Sequence, residues 1–423
     1  MNIKRNEACE IRCRRFWAAF TKVRSLSGLA GFSGLIGIVW LVSLGCQPNV
    51  QPKYADGPGR QLSNEHGLVT VERLKSAIDH RQRSEKYSQP IDDPGKPNDP
   101  ESTRDSTSDE TRPIVIVEAS WADLANAKDY HRGLIPGAIH VNTDLFENGY
   151  PEWKLQPIES LQKSIGDLGI APDTVVIVYS EQLIAATRVW WVLMYAGVGD
   201  VRILDGDART WSQAGFDLEQ TPRELPPVAF TATPRTDWVI ETGALRELIT
   251  SSGTSPTNDP TTPLRLFNMR SQAEFAGEIS GYSYLDARGR IPTANWLGDA
   301  DDSSLTYKRT NGRLRPPREI FTEWHAKGLD LPNAADKNPA DSNATDSNAM
   351  PLHVFYCGGG WRSSAAFFYA WLSGARNIRN YADGWAGWST RYIRDETATG
   401  NTPGWSQVKT DHPVESADLT PMK

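Results

Sequence analysis

Leu352-His353-Val354-Phe355-Tyr356-Cys357-Gly358-Gly359-Gly360-Trp361-Arg362 is the stretch on which the fold turns. Leu352 to Tyr356 is a short apolar run of the kind found in buried parallel strands, and Ser363 to Leu372 reads as a helix. A thiol therefore stands at the mouth of a loop whose next element is a helix N-terminus. Three glycines let the backbone curl with its N–H groups turned inward, at φ values other residues resist. Those N–H groups, the helix dipole and the Arg362 guanidinium all favour an anion at the centre. The thiolate form of Cys357 is the expected nucleophile. A buried, inert cysteine beside a glycine turn is the plain alternative. It leaves the glycine run, the closing arginine and the strand-to-helix position unexplained.

Outward from the loop, the chain repeats itself. Thr174 to Tyr179 is a strand followed by Ser180-Glu181-Gln182, and Tyr179-Ser180 aligns with Tyr356-Cys357. Trp211 then matches Trp388, because 211 − 180 and 388 − 357 both equal 31. Arg132-Gly133-Leu134-Ile135-Pro136-Gly137-Ala138 matches Arg288-Gly289-Arg290-Ile291-Pro292-Thr293-Ala294 in the same order. Further strands are expected at Ile114 to Val117 and Leu264 to Asn268, with helices at Ile158 to Leu168 and Ala186 to Tyr195. Alternating strand and helix predicts an α/β fold, two tandem domains each with a parallel sheet flanked by helices. The loop of the first copy has no thiol, no glycine and no closing cation, and Glu181 would repel an anion there. The first copy is expected to be catalytically silent.

The 423 residues suit two domains plus extra segments, and a net charge of −7 argues against nucleic acid as a partner. No metal-ligand spacing is present, so neither metal nor cofactor is expected. Cys9, Cys13 and Cys46 all lie near the N-terminus, leaving Cys357 alone in the rest of the chain. A basic region (Lys4 to Arg24) precedes an apolar, charge-free run from Leu26 to Gly45, ending in Ser43-Leu44-Gly45-Cys46. This resembles a lipoprotein signal with Cys46 as the lipidated residue. An uncleaved membrane anchor is the other reading, since about 20 apolar residues can span a bilayer. Either way the remainder is expected to be exported and tethered to a membrane. The expected order is a signal or anchor (1–46), a tether (47–61) and a first domain (62–218) with a disordered insertion near 79–112. A Pro-bearing linker (219–236) leads to the second domain (237–396), which carries a polar insertion near 333–350, and a tail (397–423) has little to bury.

With Arg188-Val189-Trp190-Trp191, Leu204-Asp205-Gly206 and Cys357 to Arg362, the sequence resembles the tandem-domain rhodaneses, the thiosulfate and mercaptopyruvate sulfurtransferases. The likeness is greatest to the subgroup with a Cys-Gly-Xaa-Gly-Trp-Arg loop. It covers roughly Leu62 to Arg394. The resemblance implies a first domain that is a silent copy and a cysteine in the second that carries sulfur. Thiosulfate would pass its outer sulfur to Cys357, and the persulfide would hand it to cyanide or a small thiol. Arg362, Arg270, Arg288 and Arg290 become candidates to hold the anionic donor, with Trp361 and Trp385 as pocket walls. Asn268 replaces an aspartate usual in the family, Thr293 a glycine, Ala382 the first residue of an Asp-Gly-Gly-Trp segment, and Gly359 a threonine.

Two other functions compete. Cysteine phosphatases place five residues between nucleophile and arginine, whereas Gly358 to Trp361 are only four, so a phosphoryl group should fit poorly. A persulfide carrier, or a protein that merely binds a sulfur anion, is the other rival. Loop length argues against the first, and sequence does not separate the second from turnover.

Overall fold

The computed structural model describes residues 67–87, 112–127, 133–251, 264–298, 307–331, 351–395 and 404–415. The N-terminal signal or anchor with Cys46 lies outside the described residues, as do residues 88–111 and 332–350 of the two expected insertions. No helix among the described residues is long and apolar enough to cross a membrane.

Runs rich in Val and Ile alternate with amphipathic segments, and the chain answers with strand and helix in turn. The first half contains β1 (Leu68–Thr70), α1 (Val71–Tyr87), β2 (Ile114–Ser120), β3 (Ala138–Asn142), α2 (Ile158–Asp167), β4 (Val175–Tyr179), α3 (Leu183–Ala196), β5 (Asp200–Asp205) and α4 (Ala208–Gln213). The second half contains α5 (Thr242–Ser251), β6 (Leu264–Asn268), α6 (Gln272–Ala276), β7 (Asn295–Trp296), α7 (Pro317–Ala326), β8 (Leu352–Tyr356), α8 (Trp361–Leu372), β9 (Ile378–Tyr381) and α9 (Gly384–Ser389). A hairpin of β10 (Thr390–Asp395) and β11 (Gly404–Lys409) follows.

The first sheet runs β1-β5-β4-β2-β3 and the second β7-β6-β8-β9, with every neighbouring pair parallel. The duplication holds strand for strand. Glu118 pairs with Tyr179 in the first sheet, and Asn268 with Tyr356 in the second. Each tyrosine hydroxyl accepts from the backbone N–H of an Ile-Pro segment, Ile135 at 3.0 Å and Ile291 at 3.2 Å. The edge strand β1 is reduced in the second copy to a single bridge, Val239 with Asn380.

The two sheets meet through α3 and α8. Trp190 packs edge-on against Phe368 at 4.8 Å and beside Trp371 at 5.2 Å, and Trp238 lies 4.7 Å from Phe367. Trp190, Trp191, Phe367 and Phe368 are fully buried. The Arg-Val-Trp-Trp segment is thus interface, and its aromatic area joins two domains into one core.

Three expectations need correction. The insertion expected near 79–112 begins as helix rather than as disordered chain, since α1 runs on to Tyr87. Its second half is polar, yet Lys75 pairs with Asp79 four residues on, and Arg81 donates to Ile114 O at 3.0 Å. The tail after 396 is not idle, since β11 pairs with β10, and Glu415 exchanges backbone hydrogen bonds with Arg290. Glu219, taken as linker, closes the first domain in the same way. It bridges Leu134, and its carboxylate accepts from Gly137 N at 2.9 Å, as that of Glu415 accepts from Thr293 N at 3.3 Å.

Candidate active site

Cys357 follows β8 directly and is 1% exposed. Helix α8 begins two residues earlier than expected, at Trp361, so Arg362 belongs to its first turn. Gly360 is the N-cap at φ 85° and offers no side chain, which leaves the first N–H groups of α8 for the sulfur. The loop carbonyls are turned the other way by a second helix N-terminus. Trp385 N donates to Cys357 O at 2.7 Å and Ala386 N to Gly358 O at 3.0 Å. With its carbonyls bound to α9, the loop aims N–H groups inward. Burial alone would push the Cys357 thiol up. The Arg362 charge, the N–H and hydroxyl of Ser363 and the N–H of Gly359 outweigh it and hold the thiol below its ordinary range.

The three glycines serve three different needs. Only Gly360 has positive φ. A Cβ on Gly358 would lie 1.9 Å from the Tyr282 hydroxyl, so this glycine lets Tyr282 lie against the loop. A Cβ on Gly359 would meet nothing within 4 Å, which makes this the open side of the site.

Arg362 does not reach across the loop with a free fork. Its Nη1 and Nη2 donate to the two carboxylate oxygens of Glu274 at 2.7 and 2.8 Å, and Nη2 also donates to the Tyr282 hydroxyl. Burial would raise Glu274, but the Arg362 hydrogen bonds and charge hold its carboxyl below the usual carboxylate range. Arg362 therefore acts on the sulfur as a fixed charge, clamped by a buried carboxylate.

The other expected donor contacts are engaged elsewhere. Arg270 is fully buried, donates to Gly289 O at 2.6 Å and stacks 4.9 Å over Trp385. Trp385 is itself fully buried core rather than pocket wall, its indole donating to Ala287 O. Arg290 lies over Phe275 and pairs with Glu415 at 3.2 Å, and the exposed Arg288 donates to Glu278 O. Asn268 takes the place of an anchor, donating to the Tyr356 hydroxyl at 2.8 Å and accepting from Arg270 N.

The first domain adds side chains to the site, of which Arg188 stood in a quoted motif but without a site role. Trp121 stacks on Trp361 at 5.1 Å, and Glu147 accepts from the Trp361 indole at 2.6 Å. Arg188, 1% exposed, reaches the carbonyl of Gly360. Tyr282, Glu274, Ser363 and Asn380 were also missed. For the last two a signal existed: carrying the 177-residue offset of the repeat (356 − 179) through the helix and next strand sets Ser363 on Ala186 and Asn380 on Ile203.

The matching loop of the first copy carries Ser180 in place of the thiol and is covered from outside. Lys308, from the second half, donates to Glu181 O at 3.0 Å and to Asp207 at 2.9 Å, laid against the vestigial loop. The pocket left beside it, lined by Glu118, Tyr179, Glu181 and Asp207, measures about 10 Å³, room for little more than a water. A larger cleft of about 370 Å³ between Trp238, Trp371, Arg235 and Arg376 takes no residue from the Cys357 loop. Among the described residues no group of His, Cys, Asp and Glu is arranged to hold a metal.

Two parallel-sheet domains, one with Ser180 and the other with Cys357 at the head of the loop between strand and helix, define the rhodanese class of cysteine site. The chain belongs to the rhodanese-like domain family, which matches residues 108–214 and 255–391. It is 31% identical over 291 residues to "Thiosulfate sulfurtransferase YnjE" of Escherichia coli, a match covering 67% of this chain and 59% of that protein. It is 24% identical over 307 residues to "Probable 3-mercaptopyruvate sulfurtransferase" of Schizosaccharomyces pombe, covering 70% and 93% of the two chains. Among solved structures, YnjE superposes with a TM-score of 0.58 at 27% identity, covering 78% of this chain and 67% of that one. The anaerobic ergothioneine biosynthesis enzyme of Chlorobium limicola gives 0.59 at 25% identity, covering 78% and 69%.

Proposed function

We propose that this protein moves sulfane sulfur from thiosulfate, or from mercaptopyruvate, through a Cys357 persulfide to cyanide or a thiol acceptor. The observation that carries the reading is a buried thiol between β8 and the N-terminus of α8, in a loop whose carbonyls are bound by Trp385 N and Ala386 N, with the Arg362 charge and the N–H groups of Ser363 and Gly359 favouring its anion. The thiolate attacks the outer sulfur of thiosulfate, a new S–S bond forms, and the old S–S bond breaks with its electron pair leaving on sulfite. The acceptor then attacks the outer sulfur of the persulfide, and the second S–S cleavage returns the thiolate. The donor's approach is from the open side at Gly359. With the arginines engaged elsewhere, its charge meets backbone N–H groups rather than a free guanidinium.

The export signal read in residues 4–46 leads us to place the catalytic part outside the cytoplasm, tethered to a membrane. Thiocyanate release by the full-length protein from thiosulfate plus cyanide tests the activity, beside Cys357→Ser and with mercaptopyruvate as a second donor. Turnover lost in the variant supports the reading. A folded wild-type protein inactive with both donors overturns it and moves the carrier role to first place. Trimethyl histidine, the substrate named for the ergothioneine enzyme, belongs in the acceptor panel.

A further inference from the structure

Beneath the loop lies a buried polar chain for which the fold alone has no need. Ser363 Oγ stands 3.7 Å from Cys357 Sγ and donates to Asn380 Oδ1 at 2.7 Å. Asn380 Nδ2 donates to Gly360 O at 3.3 Å and to Ser364 Oγ at 3.1 Å, and Ser364 donates to Gly360 O at 2.6 Å. A carbonyl can only accept, so the Gly360 contact fixes which end of the Asn380 amide is which. Asn380, Ser363 and Ser364 are completely buried.

The silent copy shows what the fold accepts without this chain. Val178 pairs with Ile203 across β4 and β5, and Phe355 pairs with Asn380 across β8 and β9. Asn380 therefore stands where the silent domain has Ile203, and Ser363 where it has Ala186; both are buried. Apolar side chains fill the same places in a folded domain, and only the copy with a thiol buries an amide and a hydroxyl there. Buried polar groups are costly unless they are fully paired, and these are paired to each other and to the loop.

Ser363 has one hydroxyl hydrogen and two claimants for it, Asn380 Oδ1 and Cys357 Sγ. We propose that Ser363 is a two-position switch on the catalytic sulfur, with Asn380 as the positioning residue that holds the hydroxyl hydrogen whenever the sulfur is not an anion. With a neutral thiol, S–H donates to Ser363 Oγ and Ser363 donates to Asn380. When the thiol proton departs to solvent, the hydroxyl rotates and donates to the thiolate, with no bond to oxygen made or broken. On persulfide formation the charge moves to the outer sulfur, and the hydrogen returns to Asn380. When the acceptor takes that outer sulfur, the hydroxyl turns again toward the thiolate leaving group. The persulfide steps rest on the sulfur-transfer reading, whereas the thiol–thiolate switch stands without it.

The test is the pH dependence of alkylation of the Cys357 peptide by iodoacetamide in the full-length chain, followed by mass spectrometry. No sulfur donor is present, so the result stands apart from whether transfer occurs. Ser363→Ala, which copies the silent domain, should raise the midpoint by about one pH unit, the worth of one hydrogen bond to a charged group. Asn380→Val should lower the midpoint, because the hydrogen is freed for the sulfur. In the Ser363→Ala background the same Asn380→Val change should leave the midpoint where it is. Asn380→Ala serves as a smaller replacement in both backgrounds. An upward shift from the Asn380 variants, or an equal shift with and without Ser363, would overturn the switch.

Discussion

The guanidinium of Arg188, on the helix that joins the silent domain to its partner, lies 3.5 Å from the carbonyl oxygen of Gly360 in the active loop. It is 1% exposed, its Nε and Nη2 have no hydrogen-bond partner, and Glu147 Oε1 stands 3.7 Å from Nη2. A Cβ on Gly360 would come within 2.6 Å of Nη1. The domain without a thiol of its own thus places a cation against its neighbour's loop. Burial lowers the Arg188 pKa, and the charges of Glu147, Cys357 and Asp383 oppose that.

Arg188→Gln should therefore do two things at once. Removing one member of a buried charge cluster leaves Glu147 without this cation, a loss of roughly 3 kcal/mol or more in urea unfolding. The Cys357 thiolate loses a neighbouring positive charge, so the pH midpoint of its alkylation should rise. A variant that is destabilised with an unmoved midpoint would assign Arg188 to packing alone.

Gly358 and Gly359 should part company on substitution. Gly358→Ala must displace Tyr282, whose hydroxyl would sit 1.9 Å from the new carbon and which also receives Arg362. At least a tenfold loss of thiocyanate formation is expected. Gly359→Ala meets open space at an ordinary φ, so stability should stay within about 0.5 kcal/mol of wild type. Equal damage from both would mean that the loop needs flexibility at each position rather than clearance at one.

Most of this fold could be read from the chain because its signals are local and occur twice. The strands Leu264–Asn268 and Leu352–Tyr356 fall where apolar runs placed them, and the register of Tyr179 and Tyr356 follows from a single offset. The nucleophile and its loop were legible for the same reason. What escaped is long-range: Arg188 touches a residue 172 positions away, and Glu274 meets Arg362 across 88. No spacing rule announces such pairs. Cation chemistry suggests anion binding for Arg270, Arg288 and Arg290, and what it does not announce is the acceptors Gly289 O, Glu278 O and Glu415 that engage these guanidinium groups. Asn380 differs from these, since comparing the two copies position by position exposes it without a structure.

Thr293 occupies a place meant for glycine. It sits at φ 66°, where its counterpart Gly137 sits at φ 77°. A β-branched residue there is strained by about 1–2 kcal/mol, part of which a glycine returns as unfolded-chain entropy. The backbone N–H that donates to Glu415 is kept by glycine. Thr293→Gly should raise stability by about 1 kcal/mol, seen as a Tm higher by roughly 2 °C. A lower Tm would show that the threonine side chain makes a compensating contact.

His353 gives the protein an acid limit. It lies in the middle of the second sheet, 3% exposed, between Arg265 on β6 and Ile378 on β9. Burial first, and the Arg265 charge second, push its pKa down to about 4. The native state thus holds a neutral imidazole, while the unfolded chain takes up a proton near the ordinary value of about 6.5. Below that pH the unfolded state binds more protons, so stability falls as pH falls, by up to about 1.4 kcal/mol per unit until the native imidazole also titrates near 4. The total is about 3 kcal/mol, complete above pH ~6.5 and lost by pH ~4. The silent copy carries Val176 at the matching position, fully buried, so His353→Val is a replacement the fold already uses. Urea unfolding at pH 7 and pH 4.5 should show a large loss for the wild type and a much smaller one for the variant. Parallel losses in the two proteins would move the acid sensitivity to the buried carboxylates, with Glu274 on Arg362 the first to examine.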